Sequence, residues 1–235
     1  MLLVFVNIIL VASVSYICYK THFIHKVGIK LGIVEKEAVD SPDYWAIKGW
    51  DNTLKKLNLD VDIVFYGNSI TCGSSFDKYF PNVAICNLGY PGDDLDGLTN
   101  RAYMISHVNP EKIFVMGGIN GLKWMTDDVF KEKYKKMVTE IKRQNQTASV
   151  YLQSILPVNN SMFKKESYYG SNEKIARLNK IIKEIADESS CVYIDLYSLY
   201  VVNNELGAEY TKDGVHLKSE HYDIWANAIA NYIYE

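Results

Sequence analysis

The stretch "VDIVFYGNSITCG", residues 61–73, runs from an apolar segment into a glycine and then a cluster of small polar groups. Val61–Gly67 is short and rich in Val, Ile, Phe and Tyr, which suits a strand covered on both faces. A strand that only turns could end in almost any mixture of Gly, Asn and Ser. A strand that presents a nucleophile needs a side-chain oxygen just past its end, with backbone N–H groups beside it. Ser69 stands two residues beyond Gly67 and meets the first requirement.

Working outward, similar runs recur at Val83–Leu88, Lys112–Gly117, Ser149–Ile155 and Val192–Leu196. Helical patterns lie between them, near 95–106, 126–144 and 173–188, with a last one near 219–234. A further helix is expected from "SPDYWAIKGWDNTLKKLN", where Ser41 can cap and Pro42 suits the first turn. Such alternation predicts an α/β domain with a parallel sheet of about five strands and helices on both faces. Ligands of open α/β sheets bind at the carboxyl ends of the strands. The first strand ends in Gly67-Asn68-Ser69, the second in "CNLGYPGDD" and the third in "MGGING", so three consecutive ends carry glycine beside polar groups. Residues 157–172, "PVNNSMFKKESYYGSN", read as a long polar and aromatic loop, and such loops are often functional.

Composition narrows the classes. The 235 residues are 48% hydrophobic and 23% charged, enough apolar material for a real core. With a formal net charge of -3 no basic field points to nucleic acid, and no nucleic-acid partner is expected. The four cysteines, Cys18, Cys72, Cys86 and Cys191, form no CxxC pair and no Cys/His set with zinc spacing, so no metal site is expected. Cys86 and Cys191 read as small core residues. The first nineteen residues contain no charged side chain and match the length of a bilayer-spanning helix. No basic residue precedes the run and no A-x-A follows, which favours a retained single-pass anchor over a cleaved signal. The expected organisation is an anchor or uncleaved signal at 1–19, a juxtamembrane linker at 20–42 and one domain at 43–235, held at a membrane. Lys20, Lys26 and Lys30 favour a cytoplasmic domain. Anchors of this kind also commonly hold enzymes outside, and the side stays open.

A serine hydroxyl needs a base to take its proton and donors to hold the oxyanion that forms. Near the C-terminus stands "YTKDGVHLKSEHYDIW". Asp213 and His216 are three residues apart, so on one tight turn the carboxylate can fix the imidazole tautomer. The other ring nitrogen then faces Ser69, in the chain order Ser, Asp, His. His221 is an alternative base with no Asp three residues before it. Cys72 is a rival nucleophile. Oxyanion donors are the N–H of Ser69, the N–H of Gly89 and the side-chain amide of Asn120. A phosphate or flavin binder would also use a glycine-rich strand end, but it leaves Asp213 and His216 idle.

This constellation resembles the SGNH (GDSL-type) hydrolase superfamily. Its serine, glycine, asparagine and histidine blocks correspond to Ser69 in "GNSIT", Gly89 in "NLGYPGD", Asn120 in "GGIN" and His216 in "DGVH", with Asp213 as the third triad member. The resemblance runs from about residue 60 to the end, and "SILPVN" and "DGVHLKSEHYDIWANAI" are similar to its carbohydrate and small-ester esterases. It implies a flavodoxin-like three-layer α/β/α fold and ester hydrolysis with no metal or organic cofactor. The expected substrate is a small-molecule or glycan ester with a short acyl group, notably acetyl. Acyl transfer to envelope polysaccharide and a catalytically silent glycan-binding domain are the alternatives. Two departures stand out: Asn68 replaces the acid of G-D-S-L, and Gly121 stands where an Asp is common. The α/β-hydrolase pattern G-x-S-x-G is absent, because Thr71 occupies its last position.

Overall fold

In a computed structural model the described residues are 44–162 and 169–235. The expected anchor, the linker, the Ser41-Pro42 helix start and residues 163–168 of the polar loop lie outside them. Among the described residues no helix is long and apolar enough to cross a membrane.

The apolar run of the opening stretch forms β1 (Ile63–Gly67), buried at every position. β2 (Ile85–Gly89), β3 (Lys112–Met116), β4 (Ser149–Gln153) and β5 (Val192–Ile194) complete a parallel sheet in the order β2-β1-β3-β4-β5. Each expected strand is present within a residue or two, because the end residues leave the ladder to enter turns. The order reverses direction beside β1, and that reversal opens a crevice at the carboxyl ends. Register matters more than order here. Gly67 pairs with Gly89 on one side and with Met116 on the other, so the three polar strand ends leave the sheet in one row.

Helices cover both faces of the sheet. α1 (Tyr44–Leu57) precedes β1, and α2 (Ser69–Cys72) is a single turn after it. α3 (Leu95–Arg101) continues as a 3-10 segment, Ala102–Val108, and ends at Asn109 in the left-handed region. α4 (Asp127–Gln144) begins where the sequence indicates: Thr126 Oγ1 accepts from Val129 N, and Asp127 and Asp128 occupy the positive first turn. Its buried face, Phe130, Tyr134, Met137, Val138 and Ile141, follows the helical repeat. α5 (Asn172–Glu188) is capped by Ser171, and α7 (Tyr222–Tyr234) closes the chain. Between them lie α6 (Tyr197–Tyr200) and a two-stranded hairpin, β6 (Val201–Val202) and β7 (Glu205–Leu206), which the polar sequence does not announce. Asn203 and Asn204 turn it with φ of 51° and 64°, the conformation a two-residue hairpin requires.

The core is aromatic at its centre. Phe114 stacks on Tyr151 with centroids 4.4 Å apart, and Phe65 lies 5.2 Å from Phe114. α1 is tied on by buried Asp51, which meets His107 Nε2 at 2.8 Å and, within the helix, Lys55 Nζ at 2.8 Å. Cys86 and Cys191 are half-buried beside the core rather than within it, and burial pushes the Cys86 thiol up to about 11. The start of the expected loop is also less open than its composition suggests. Residues 154–159 are buried, and Asn172 clamps Val158 through bonds to its N–H and C=O at 2.8 and 2.7 Å. Tyr169 packs against the core.

Candidate active site

Ser69 opens α2 directly after β1. Asn68 is its N-cap, and Asn68 Oδ1 accepts from Ile70 N at 3.0 Å. The amide therefore supplies the capping oxygen that the acid of the more usual block would supply. Ser69 N–H lies in the first turn, where a helix leaves its N–H groups without intrahelical acceptors. The turn is held from two sides. Tyr222 of α7 donates to Ile70 O at 2.7 Å, and burial pushes its phenol well above the usual range, so it stays a neutral donor. Asn87 of β2 donates to Thr71 O at 2.9 Å and to Ser74 Oγ at 3.1 Å.

The C-terminal loop brings its imidazole to this serine. His216 Nε2 is 2.9 Å from Ser69 Oγ, and His216 Nδ1 is 2.6 Å from Asp213 Oδ2. An ionised carboxylate only accepts, so Nδ1 carries the proton and Nε2 is left to accept from the hydroxyl. Asp213 Oδ1 also accepts from His216 N at 2.8 Å and Val215 N at 3.0 Å. Burial works to raise the Asp213 pKa. The bonds from His216 N, the His216 ring and Val215 N outweigh it and hold the carboxyl below its usual range. Gly214 makes the turn at φ +91°, where a side chain would be strained. Buried Thr211 braces the turn: its Oγ1 accepts from Gly214 N at 2.9 Å and donates to His216 O at 2.8 Å. Asn159 N–H donates to Gly214 O at 2.8 Å, and Asn159 Nδ2 donates to Leu206 O at 2.8 Å. The loop after β4 thus supports the histidine turn from outside.

The other named residues lie at the same edge in different states. Asn120 follows β3, and its Nδ2 donates to Asp93 O at 2.7 Å. One amide hydrogen is used there and the second remains to donate. Gly121 follows at φ +74°, which accounts for glycine where an acid is common. The N–H of Gly89 is directed elsewhere, to Asn87 Oδ1 at 2.9 Å. Gly89 lacks a side chain because a Cβ there would sit 2.3 Å from Cys72 N, so this glycine lets α2 pack on β2. Beyond it the turn Tyr90–Asp93 is exposed at Pro91 and Gly92; Pro91 has no N–H, Asp93 N–H is bonded back to Tyr90 O at 3.3 Å, and the remaining N–H of the turn is that of Gly92, at φ +82°. Tyr90 N–H binds Gly67 O at 2.9 Å, and Trp50 of α1 packs on the Tyr90 ring at 6.3 Å. His221 packs edge-on against Tyr210 at 5.2 Å and its C=O accepts from Tyr200 OH, so it serves α7. Cys72 is exposed, one turn beyond Ser69.

Sequence reasoning missed the supports: Asn87, Asn159, Thr211, and the buried pair Arg101–Asp93. Asn87 and Asp93 lie in "NLGYPGD", Thr211 in "YTKDGVH" and Asn159 in "SILPVN", so of these only Arg101 falls outside the blocks that the sequence singles out.

A family model, GDSL-like lipase/acylhydrolase, matches residues 65–224. The chain belongs to this family of ester hydrolases. No curated protein matches it in sequence. Solved structures do. It is similar to a platelet activating factor structure from Streptococcus pneumonia, with 22% identity and a TM-score of 0.68, covering 89% of this chain and 99% of that one. It is similar to an acylhydrolase from Bacteroides fragilis, with 26% identity and a TM-score of 0.68, covering 81% and 97%. An acetyl-xylooligosaccharide esterase from Geobacillus is similar in fold, with 18% identity and a TM-score of 0.57, covering 75% and 95%. The three-layer α/β/α architecture with its five-stranded parallel sheet is therefore that of SGNH hydrolases.

Proposed function

We propose that the protein is a serine esterase that removes short acyl groups, acetyl above all, from a carbohydrate or related alcohol. The observation that carries this reading is the aligned set Ser69 Oγ, His216 Nε2 and Asp213, with 2.9 and 2.6 Å between successive partners. Ser69 attacks the ester carbonyl while Nε2 takes its proton. The oxyanion is held by Ser69 N–H, the second hydrogen of Asn120 and a backbone N–H at the β2 end. The imidazolium, steadied by Asp213, returns the proton to the departing alcohol. Water, activated by the same nitrogen, then releases the carboxylic acid and restores the serine.

Two considerations support a sugar on the alcohol side. The fold neighbour from Geobacillus acts on acetylated xylo-oligosaccharides. The rim of this site also carries Tyr90 backed by Trp50, aromatic faces that suit the C–H faces of sugar rings. The apolar residues 1–19 would hold the domain, 43–235, at a membrane through the linker 20–42. The deciding experiment is acetate release from acetylated xylo-oligosaccharides and from p-nitrophenyl acetate by the full chain in detergent. Activity on both, lost in Ser69→Ala, is the expected result. Activity on neither, with no labelling by a serine-reactive phosphonate, would replace the esterase with a silent binding domain.

A further inference from the structure

One buried guanidinium sits beneath the row of strand ends. Arg101, the last residue of α3, is 2% exposed. Its Nη2 donates to Gly67 O and its Nη1 to Leu88 O, each at 2.8 Å. Its Nε donates to Asp93 Oδ2, whose side chain is fully buried. The guanidinium lies 4.3 Å from the centre of the Tyr66 ring, and Tyr66 OH donates to Leu98 O at 2.5 Å. The same Asp93 accepts the Asn120 amide on its backbone C=O at 2.7 Å.

The acceptors of this one side chain therefore come from the end of β1, the end of β2 and the turn after β2. Through Asp93 they reach the loop after β3. Gly67 is two residues from the nucleophile, and Asn120 is the amide at the oxyanion position. A guanidinium offers its donors in a rigid plane, so three acceptors bound at once have fixed mutual positions. A buried ion pair adds little stability over an apolar replacement of similar volume. Fixed geometry is what a charged fork supplies here and an apolar core would not. An oxyanion donor works only within a few tenths of an ångström of its place, and a shift of about 1 Å can cost about a hundredfold in rate.

We propose that Arg101 and Asp93 are positioning residues for ester hydrolysis: together they set the separation between the Ser69 turn and the Asn120 amide. The proposal rests on the roles given to Ser69 and Asn120 above.

The test is a double-mutant cycle on the full chain with p-nitrophenyl acetate. Arg101→Met combined with Asp93→Leu removes both charges and leaves no unpaired ion in the core. Arg101→Lys keeps the paired charge but loses the fork, and serves if the apolar pair does not fold. With Asn120 present, either replacement is expected to lower kcat about 10- to 100-fold, with KM within about threefold. In an Asn120→Ala background the same replacement is expected to cost less than about threefold, since the group it positions is gone. Equal losses in both backgrounds, or a lowered Tm with kcat intact, would overturn the proposal. Full activity in Asn120→Ala alone would instead remove the oxyanion reading on which it rests.

Discussion

His216 Nε2 and Ser69 Oγ meet at 2.9 Å although 147 residues separate them. The contact exists because two independent pieces of local structure point at each other. The cap of α2 places the hydroxyl at the sheet edge, and the Thr211-braced turn at Gly214 places the ring. Ser69→Ala should retain the fold, since alanine suits a first helical turn. Hydrolysis of p-nitrophenyl acetate should fall by several orders of magnitude. Near-normal activity in the purified variant would transfer the nucleophile's role to Cys72.

Asp213→Asn should lower kcat about 10⁴-fold with little change in KM, because an amide can no longer fix the tautomer that leaves Nε2 free. The wild-type pH profile follows from the same contact. The depressed pKa of Asp213 means that its bonds to His216 and Val215 are complete above the ordinary carboxylate range. Their stabilisation is lost only as the pH falls through the lowered value. Asp213 therefore stays ionised through the ordinary carboxylate range. The acid limb of kcat/KM should show no break in that range. A break there would count against this arrangement.

Gly89 separates a structural role from a chemical one. A methyl group there would lie 2.3 Å from Cys72 N, which is backbone and cannot swing aside. Gly89→Ala is therefore expected to lower Tm sharply or prevent folding. Asn87→Ala is expected to do something different: it frees the Gly89 N–H and also removes the stitch from β2 to Thr71 O and Ser74. Circular-dichroism melts of the two variants check the contrast. A Gly89→Ala protein with wild-type Tm would show that α2 does not pack on β2 as described.

The elements legible in the sequence are those with a local cause. β1 was marked by its unbroken apolar run, α4 by Thr126 and two acids, and the histidine turn by Asp213-Gly214. What escaped had no local signature. Arg101 falls inside the helical pattern at 95–106 with nothing to mark it, and only the register of β1, β2 and β3 brings its acceptors together. The hairpin at Asn203-Asn204 escaped because each of its strands is two residues long, too short for any alternation to show. The assignment of Gly89 is the instructive case. A glycine at a strand end serves backbone approach as well as oxyanion binding, and the sequence cannot distinguish the two. The structure adds the close approach of Cys72 N and the bond from Gly89 N–H to Asn87 Oδ1 at 2.9 Å.

Substrate size follows from what borders the edge. A fatty acyl chain needs a continuous apolar channel, since each buried methylene contributes about 0.8 kcal/mol. The groups around Ser69 are instead polar or backbone: Asn120, Asn87, the turn Tyr90–Asp93 and the Asp213–His216 turn. Of the large apolar side chains nearby, Leu122 and Ile119 are committed to the interior, Trp50 and Tyr90 form an aromatic pair at the rim, and Trp124, four residues past Asn120, is a single exposed ring rather than the wall of a channel. The loop after β4 adds Asn159 and Ser161, and these are engaged with Leu206 O and Glu205 rather than forming a greasy wall. Added methylenes therefore gain little burial, and each adds rotamer entropy to be lost on binding. The rate on p-nitrophenyl esters should peak at two to four acyl carbons and then decline. Trp50→Ala should raise KM for acetylated oligosaccharides several-fold while leaving p-nitrophenyl acetate nearly unaffected. A kcat/KM that climbs steadily from acetate to palmitate would turn the reading toward a lipase, with Trp50 and Tyr90 serving the acyl chain instead of a sugar.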